Sequence, residues 1–242
     1  LRLWLCPLRA RTLLHGETAA SRQVMELDLS VVDRIYAPPP FEYDWRACAT
    51  YALGVGAGKE HLRYTWEGEP SFAVLPSFAV VPTMPIVTRA LMDIRANFGT
   101  LVHGAQVVRA HAAIPSAGLL HSEGRVSEVQ DKGKGAVVVI ETQTTDEEGR
   151  LIVETQWHIF CRGQGGFGGS RGEPPVLLEP LQGAEPAFHT VMRTSPDQAL
   201  IYRLSGDLNP LHVDPALAGR AGFCAPILHG LCTYGFATRA II

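Results

Sequence analysis

The chain has 242 residues, 46% of them hydrophobic and 19% charged, with a formal net charge of -3. That balance suits one large or two small globular domains with a sizeable core. It excludes a general nucleic-acid binder, which needs a basic face to neutralise phosphates. No apolar run reaches the ~18 residues of a membrane span. Five cysteines, odd in number and without a C-x-x-C pair, argue against a disulfide framework or structural zinc site and for a reducing compartment.

Residues 1–24 open with an apolar, Arg-rich stretch, Leu1 to Leu14, but lack a clean apolar block and a small-residue cleavage site. They read as a leader upstream of a start at Met25. A first domain is expected over 25–163. A helix-like stretch begins near Asp44 and ends at YALG (51–54), and a Pro-containing turn follows at LPSF (75–78). Strands are expected at Leu101–Ala110, in the β-branched run Ala136–Ile140 and at Leu151–Cys161. In the last of these, Leu151, Val153, Trp157 and Ile159 alternate with Glu154, Gln156 and His158, as a half-buried strand requires. Asp146 to Gly149 separates the last two runs and predicts a hairpin.

Residues 164–186 are dense in Gly and Pro and read as a linker. The final segment, 187–242, repeats the order of the first: a helix starting at Ser195, a turn after Tyr202, a Pro-containing stretch at Pro226–His229 and an apolar helix over Leu231–Ile242. A helix apolar nearly all round needs a sheet to cover it, so the second half reads as cut short of its strands.

The densest polar cluster in an apolar region is the turn from Tyr202 to His212. Asp207 and His212 stand five residues apart across Gly206, Asn209 and Pro210. A carboxylate and an imidazole facing one cavity can hold a water and move its proton. The same spacing arises when an Asp caps a turn and a His is a satisfied core residue, and spacing alone does not choose. Gly230 opens the last helix, where free N–H groups favour developing negative charge. Gly54, Gly56 and Gly58 lack the strand–turn–helix setting of a dinucleotide site. Asp207, Asn209 and His212 could ligate a metal, but no further ligand stands out in the sequence.

YRLSGDLNPLHVDP (202–215) and AGFCAPILHGLCTYGFATRA (221–240) together resemble the signature of the hydratase 2 enzymes. These are MaoC-like proteins that include the hydratase portion of peroxisomal multifunctional enzyme type 2. YALGVGAG (51–58), LPSF (75–78), LVHGAQ (101–106), DKGKGA (131–136) and RGQGGFGG (162–169) extend the resemblance over 44–242. It implies an α+β fold of two fused hot dogs, each a long helix wrapped by an antiparallel sheet, with the second incomplete. It implies (3R)-specific hydration of enoyl-CoA by Asp207 and His212, with Asn209 positioning them and Gly230 donating to the thioester oxygen. His103, Gly104, Lys132, Leu208, Pro210 and Leu211 become coenzyme A and acyl contacts, and Glu67 a supporting residue. Ala105 departs from the Glu usual in the family's HGEQ stretch.

The resemblance implies no metal and no cofactor beyond the coenzyme A of the substrate. It also implies a homodimer, in the cytoplasm of a bacterium or the peroxisome of a eukaryote. Gly56 stands where Asp207 would be, so the first half is expected to have lost chemistry and to wall in an acyl tail. A non-catalytic acyl-CoA-binding module and a hot-dog thioesterase are the competing readings.

Overall fold

Asp44 stops the preceding strand by turning its carboxylate onto the Arg46 N–H at 2.9 Å, which caps the first helix. The computed structural model describes residues 26–173, 183, 185 and 188–242. The expected leader at 1–24 lies outside the described residues, as does the linker from 174 onward apart from 183 and 185. Two short strands, β1 (Ile35–Tyr36) and β2 (Phe41–Tyr43), precede α1 (Trp45–Gly54) and the single turn α2 (Leu62–Thr65). A 3₁₀ turn at Pro76–Val80 leads into α3 (Met84–Asp93).

Four long strands follow: β3 (Leu101–Ala110), β4 (Gly118–Asp131), β5 (Gly135–Thr145) and β6 (Leu151–Arg162). They form an antiparallel sheet in the order β1-β4-β5-β6-β3, with β2 also on β4. The hairpin expected at Asp146–Gly149 joins β5 to β6. Asp146 accepts from the Arg150 N–H at 2.8 Å, and Gly149 takes the positive φ of 78°. Along β6, Val153, Trp157 and Ile159 are buried, as their alternation requires. Packing Trp157 and Ile159 with Ile86, Val87, Ala90 and Leu91 of α3 gives a helix wrapped by a sheet, the hot-dog arrangement.

β4, the longest strand, was not located from the sequence. Its inner face uses Leu120, Ser122, Gly124 and Val126, and two of those do not read as apolar. Gly124 is required there, because a Cβ would lie 2.5 Å from the Glu141 carbonyl oxygen and 3.2 Å from Ile86. The close approach of α3 to the sheet thus erased the pattern that would have announced the strand.

The second half begins with α4 (Gln198–Tyr202), a 3₁₀ turn at Arg203–Ser205 and another at Pro210–His212. Then come α5 (Pro215–Arg220) and α6 (Gly230–Ile241). The helix expected from Ser195 starts three residues later. Ser195 Oγ accepts from the Asp197 N–H at 3.2 Å and its carbonyl from Gln198 at 3.0 Å, which makes a turn and not a helical start. The described residues from 188 onward contain helices and turns and no strand.

The two halves are tied through α1. Gly54 lets the Tyr202 backbone pass so closely that a Cβ would sit 3.1 Å from Tyr202 Cα. The Gln198 amide donates to the Gly54 carbonyl at 2.5 Å. On α6, Arg239 donates to the Val55 carbonyl at 2.7 Å, and Gly235 packs on Val55. No helix among the described residues is long and apolar enough to cross a membrane.

Candidate active site

Gly206, at φ 114°, ends the 3₁₀ turn and throws the chain into the segment that carries Asp207, Asn209 and His212. Asn209 organises it from both sides. Its N–H donates to the Asp207 carboxylate at 3.2 Å, and its carbonyl accepts from the His212 N–H at 3.3 Å. The Asn209 side-chain oxygen accepts from Leu211 N–H at 3.0 Å and caps the 3₁₀ turn that Pro210 opens. Asn209 therefore sets the separation of Asp207 and His212 mainly through its backbone. Leu208 is 60% exposed and free to meet a ligand, whereas Leu211 is 6% exposed. Leu211, expected as a substrate contact, is instead an anchor that roots the turn in the protein.

The His212 ring is fixed at its Nδ1, 2.7 Å from the Ile227 carbonyl oxygen. A carbonyl only accepts, so Nδ1 carries the hydrogen and Nε2 keeps a free lone pair. Against this ring lies His229, fully buried, stacked at 3.7 Å between centroids and 27° between planes. His229 Nε2 lies 3.1 Å from the Asp207 carbonyl oxygen and must likewise be the protonated nitrogen. Its Nδ1 is buried with no protein partner. Burial, followed by the charge of His212, pushes the His229 pKa down to about 4, with Asp207 opposing. His229 is therefore neutral at pH 7.

Gly230 is the first residue of α6, with His229 as its N-cap. The helical ladder starts only with Thr233 N–H to the His229 carbonyl, so the first N–H groups are available to a ligand. A Cβ at 230 would lie 3.4 Å from the Cβ of His103, which places β3 directly against the helix start. Gly104 is the extra residue of a β-bulge between His103 and Ala105 in the pairing of β3 with β6. A Cβ there would stand 3.1 Å from the His158 carbonyl oxygen. The bulge swings His103 back so that Nε2 meets the Ala105 carbonyl at 2.9 Å, with the ring 5.3 Å from Trp157. Burial lowers the His103 pKa, partly offset by the Ala105 carbonyl and Asp207. The Glu-to-Ala departure at 105 thus leaves His103 held by main chain.

The fold brings together Asp207, Asn209, His212, Gly230, His103 and Gly104. It leaves Lys132 and Glu67 apart. Lys132, in the β4–β5 turn, donates its ammonium to the Arg171 carbonyl. Beside it, Asp131 accepts from the N–H groups of Gly133, Gly166 and Gly168 at 2.7 to 2.8 Å, which shapes the glycine-rich loop. Glu67 is exposed in the turn after α2 and, among the described residues, makes no side-chain hydrogen bond, so the supporting role expected for it has no contact behind it.

His229 is the residue that sequence reasoning passed over. Its only signal was its place in the PILHG stretch, read there as a helix start. With Asp207 and His212 it forms a group whose ligand-capable atoms lie within 4.8 Å of one another. The metal-ligating set that looked incomplete in the sequence therefore gains His229 as a further ligand beside Asp207 and His212.

A carboxylate, an imidazole and an unpaired helix-start N–H thus stand beside a helix-in-sheet hot dog. Residues 41–163 match the MFE-2 hydratase 2 N-terminal domain, and residues 179–242 match the MaoC like domain. The chain belongs to the hydratase 2 family. It is 45% identical over 230 residues to 3-hydroxyacyl-thioester dehydratase Y of Mycobacterium tuberculosis, covering 90% of this chain and 77% of that protein. The solved structure of full-length peroxisomal multifunctional enzyme type 2 from Drosophila melanogaster superposes with a TM-score of 0.71 at 39% identity, over 86% of this chain and 37% of that one. A MaoC-like dehydratase from Phytophthora capsici gives a TM-score of 0.74 at 32% identity, over 87% of this chain and 75% of its own.

Proposed function

We propose that the chain reversibly adds water to a trans-2-enoyl-CoA to give the (3R)-3-hydroxyacyl-CoA. The observation that carries this reading is the convergence of Asp207 and His212 next to the free N–H of Gly230, at the start of α6. Water sits between the Asp207 carboxylate and His212 Nε2. As its oxygen bonds to C3, its proton passes to that pair, and the double-bond electrons move onto the thioester oxygen, where the Gly230 N–H stabilises them. Collapse of the enolate takes a proton from the pair onto C2, and one water has been added overall. Asp207 and His212 act as a unit in this exchange.

The reaction is redox-neutral, and coenzyme A enters with the substrate. The acyl tail is assigned to an apolar cavity of about 490 Å³ beside Gly206, the residue before Asp207. Met84, Pro85, Thr88 and Met92 of α3 line it, with Phe78 from the preceding turn. Its size falls within the ~300–1,000 Å³ of small-molecule sites, and its walls come mostly from the first half. Medium and long chains are therefore the favoured substrates. We assign His103 and Gly104 to the wall under the thioester, Leu208 and Pro210 to the exposed rim, and Lys132 to the coenzyme A phosphates. A homodimer is proposed, in the peroxisome of a eukaryote or the cytoplasm of a bacterium.

The test follows loss of enoyl-thioester absorbance with trans-2-decenoyl-CoA and resolves the product on a chiral column. The expected product is the (3R)-3-hydroxy thioester. Release of free thiol would make the protein a thioesterase, and binding without turnover would make it an acyl-CoA-binding module.

A further inference from the structure

His229 touches every part of the catalytic arrangement without being one of its assigned groups. Its ring stacks on His212, its Nε2–H holds the Asp207 carbonyl, and its own main chain caps the helix whose first residue is Gly230. We propose that His229 is a positioning residue that locks His212, the Asp207 turn and the Gly230 N–H into one geometry. The proposal rests on the hydration reading above.

The first half supplies an internal control. Phe78 follows Tyr51 at the same spacing at which His229 follows Tyr202. Both Phe78 and His229 are fully buried, and each packs on its tyrosine, at 5.6 Å for Phe78 and 4.9 Å for His229. Packing at this place in the fold is thus satisfied by a phenyl ring. An imidazole there is more costly, because a polar ring loses its water and one nitrogen, Nδ1, finds no partner. What the histidine adds over a phenylalanine is the hydrogen bond from Nε2–H to the Asp207 carbonyl oxygen.

That bond crosses from the start of α6 to the residue that carries the acid. Together with the bond from His212 Nδ1–H to the Ile227 carbonyl, it ties the segment holding the oxyanion donor to the segment holding the proton-transfer pair. The Ile227 carbonyl fixes His212 from the other side, so the imidazole of His212 is gripped between a backbone acceptor and a stacked ring. A reacting geometry built on two separate segments loses rate steeply when they drift, on the order of 10²-fold for a 1 Å displacement.

The experiment compares His229→Phe with His229→Gln, reading kcat and KM on trans-2-decenoyl-CoA together with Tm. The Phe variant keeps the packing and loses the bond. Its Tm is expected to stay close to wild type, its KM to change little, and its kcat to fall by about 10- to 100-fold. The Gln variant packs worse and melts lower, yet its side-chain N–H reaches the Asp207 carbonyl. Its kcat is expected to exceed that of the Phe variant. Rank orders that cross in this way, with stability favouring Phe and turnover favouring Gln, belong only to a positioning role.

If kcat follows Tm, with Phe at or above Gln, the residue merely packs and the proposal is overturned. Should the Phe variant not fold, the comparison passes to Gln against Ala, and equal kcat values there overturn it as well. An active wild type with an equally active Phe variant strikes this inference alone. An inactive wild type strikes the hydration reading and removes this inference with it.

Discussion

Both halves run through a short helix, a glycine turn, a proline turn and a further helix, and they part ways at four places. Asp207 faces Gly56, His229 faces Phe78, Gly230 faces Ala79, and continuous α6 faces a helix broken between Pro76–Val80 and α3. In the first half, Gly56 sits at φ 79°, and a Cβ there would lie 2.4 Å from Phe236 of α6. Arg239 of the same helix reaches the Val55 carbonyl and contacts His61 Nε2 at 3.2 Å. His61 keeps the five-residue spacing from Gly56 that His212 keeps from Asp207. The space where a reaction could occur in the first half is therefore filled by side chains of α6, while the corresponding turn of the second half opens beside an apolar cavity. One turn scaffold thus serves as a joint in one half and holds the proposed catalytic pair in the other, according to which side chains the facing helix delivers.

The largest test of that contrast removes the chemistry. Asp207→Asn and His212→Gln should each lower kcat by about 10² to 10⁴, with Tm nearly unchanged because both side chains are only half-buried. Near-normal turnover by either would mean that the pair has been assigned to the wrong residues.

A second test tries to make the halves alike. Gly56→Asp introduces a side chain at positive φ and against Phe236, so it should cost on the order of 3 kcal/mol from backbone strain and overpacking, read by urea denaturation. It should create no second site, because Arg239 already occupies Nε2 of His61, and Phe78 and Ala79 stand where His229 and Gly230 would be needed. A stable and more active Gly56→Asp protein would break the comparison.

The smallest effect is on pH. The His229 pKa is held at about 4 against an ordinary 6.5 by burial, then by His212, with Arg203 adding and Asp207 opposing. Between those two values the unfolded chain takes up a proton that the folded chain refuses. Stability should therefore fall as pH drops from about 6.5 to about 4. Phe78, its counterpart, cannot titrate. Melting curves of wild type and His229→Phe should start close together and separate as pH falls through this window, the wild-type curve being the steeper. Parallel curves would show that His229 is not held neutral.

How legible each part was depended on how local its cause is. The β5–β6 hairpin could be read because Asp146 and Gly149 make the turn by themselves, and β6 because its alternation survives in Val153, Trp157 and Ile159. β4 could not, since its inner face is interrupted by Ser122, which bonds Thr144, and by Gly124, which admits Ile86. Leu208 and Leu211 look equivalent in the sequence, yet one is exposed and the other anchors the turn. His229 sat in plain view before Gly230, but its partners are 17 and 22 residues away in the chain.

By itself the sequence determined the local arrangement: Asp207 and His212 on one turn about Asn209, and a glycine opening an apolar helix. These follow from hydrogen bonds spanning two to four residues, which the order of amino acids dictates directly. Only the tertiary structure decided that His229 stacks on His212 and bonds the Asp207 backbone, that His103 lies under Gly230, and that Phe236 and Arg239 fill the first half's turn. Those contacts depend on how α6 docks against α1 and β3, and docking is settled by the packing of whole faces, which no short stretch of sequence contains.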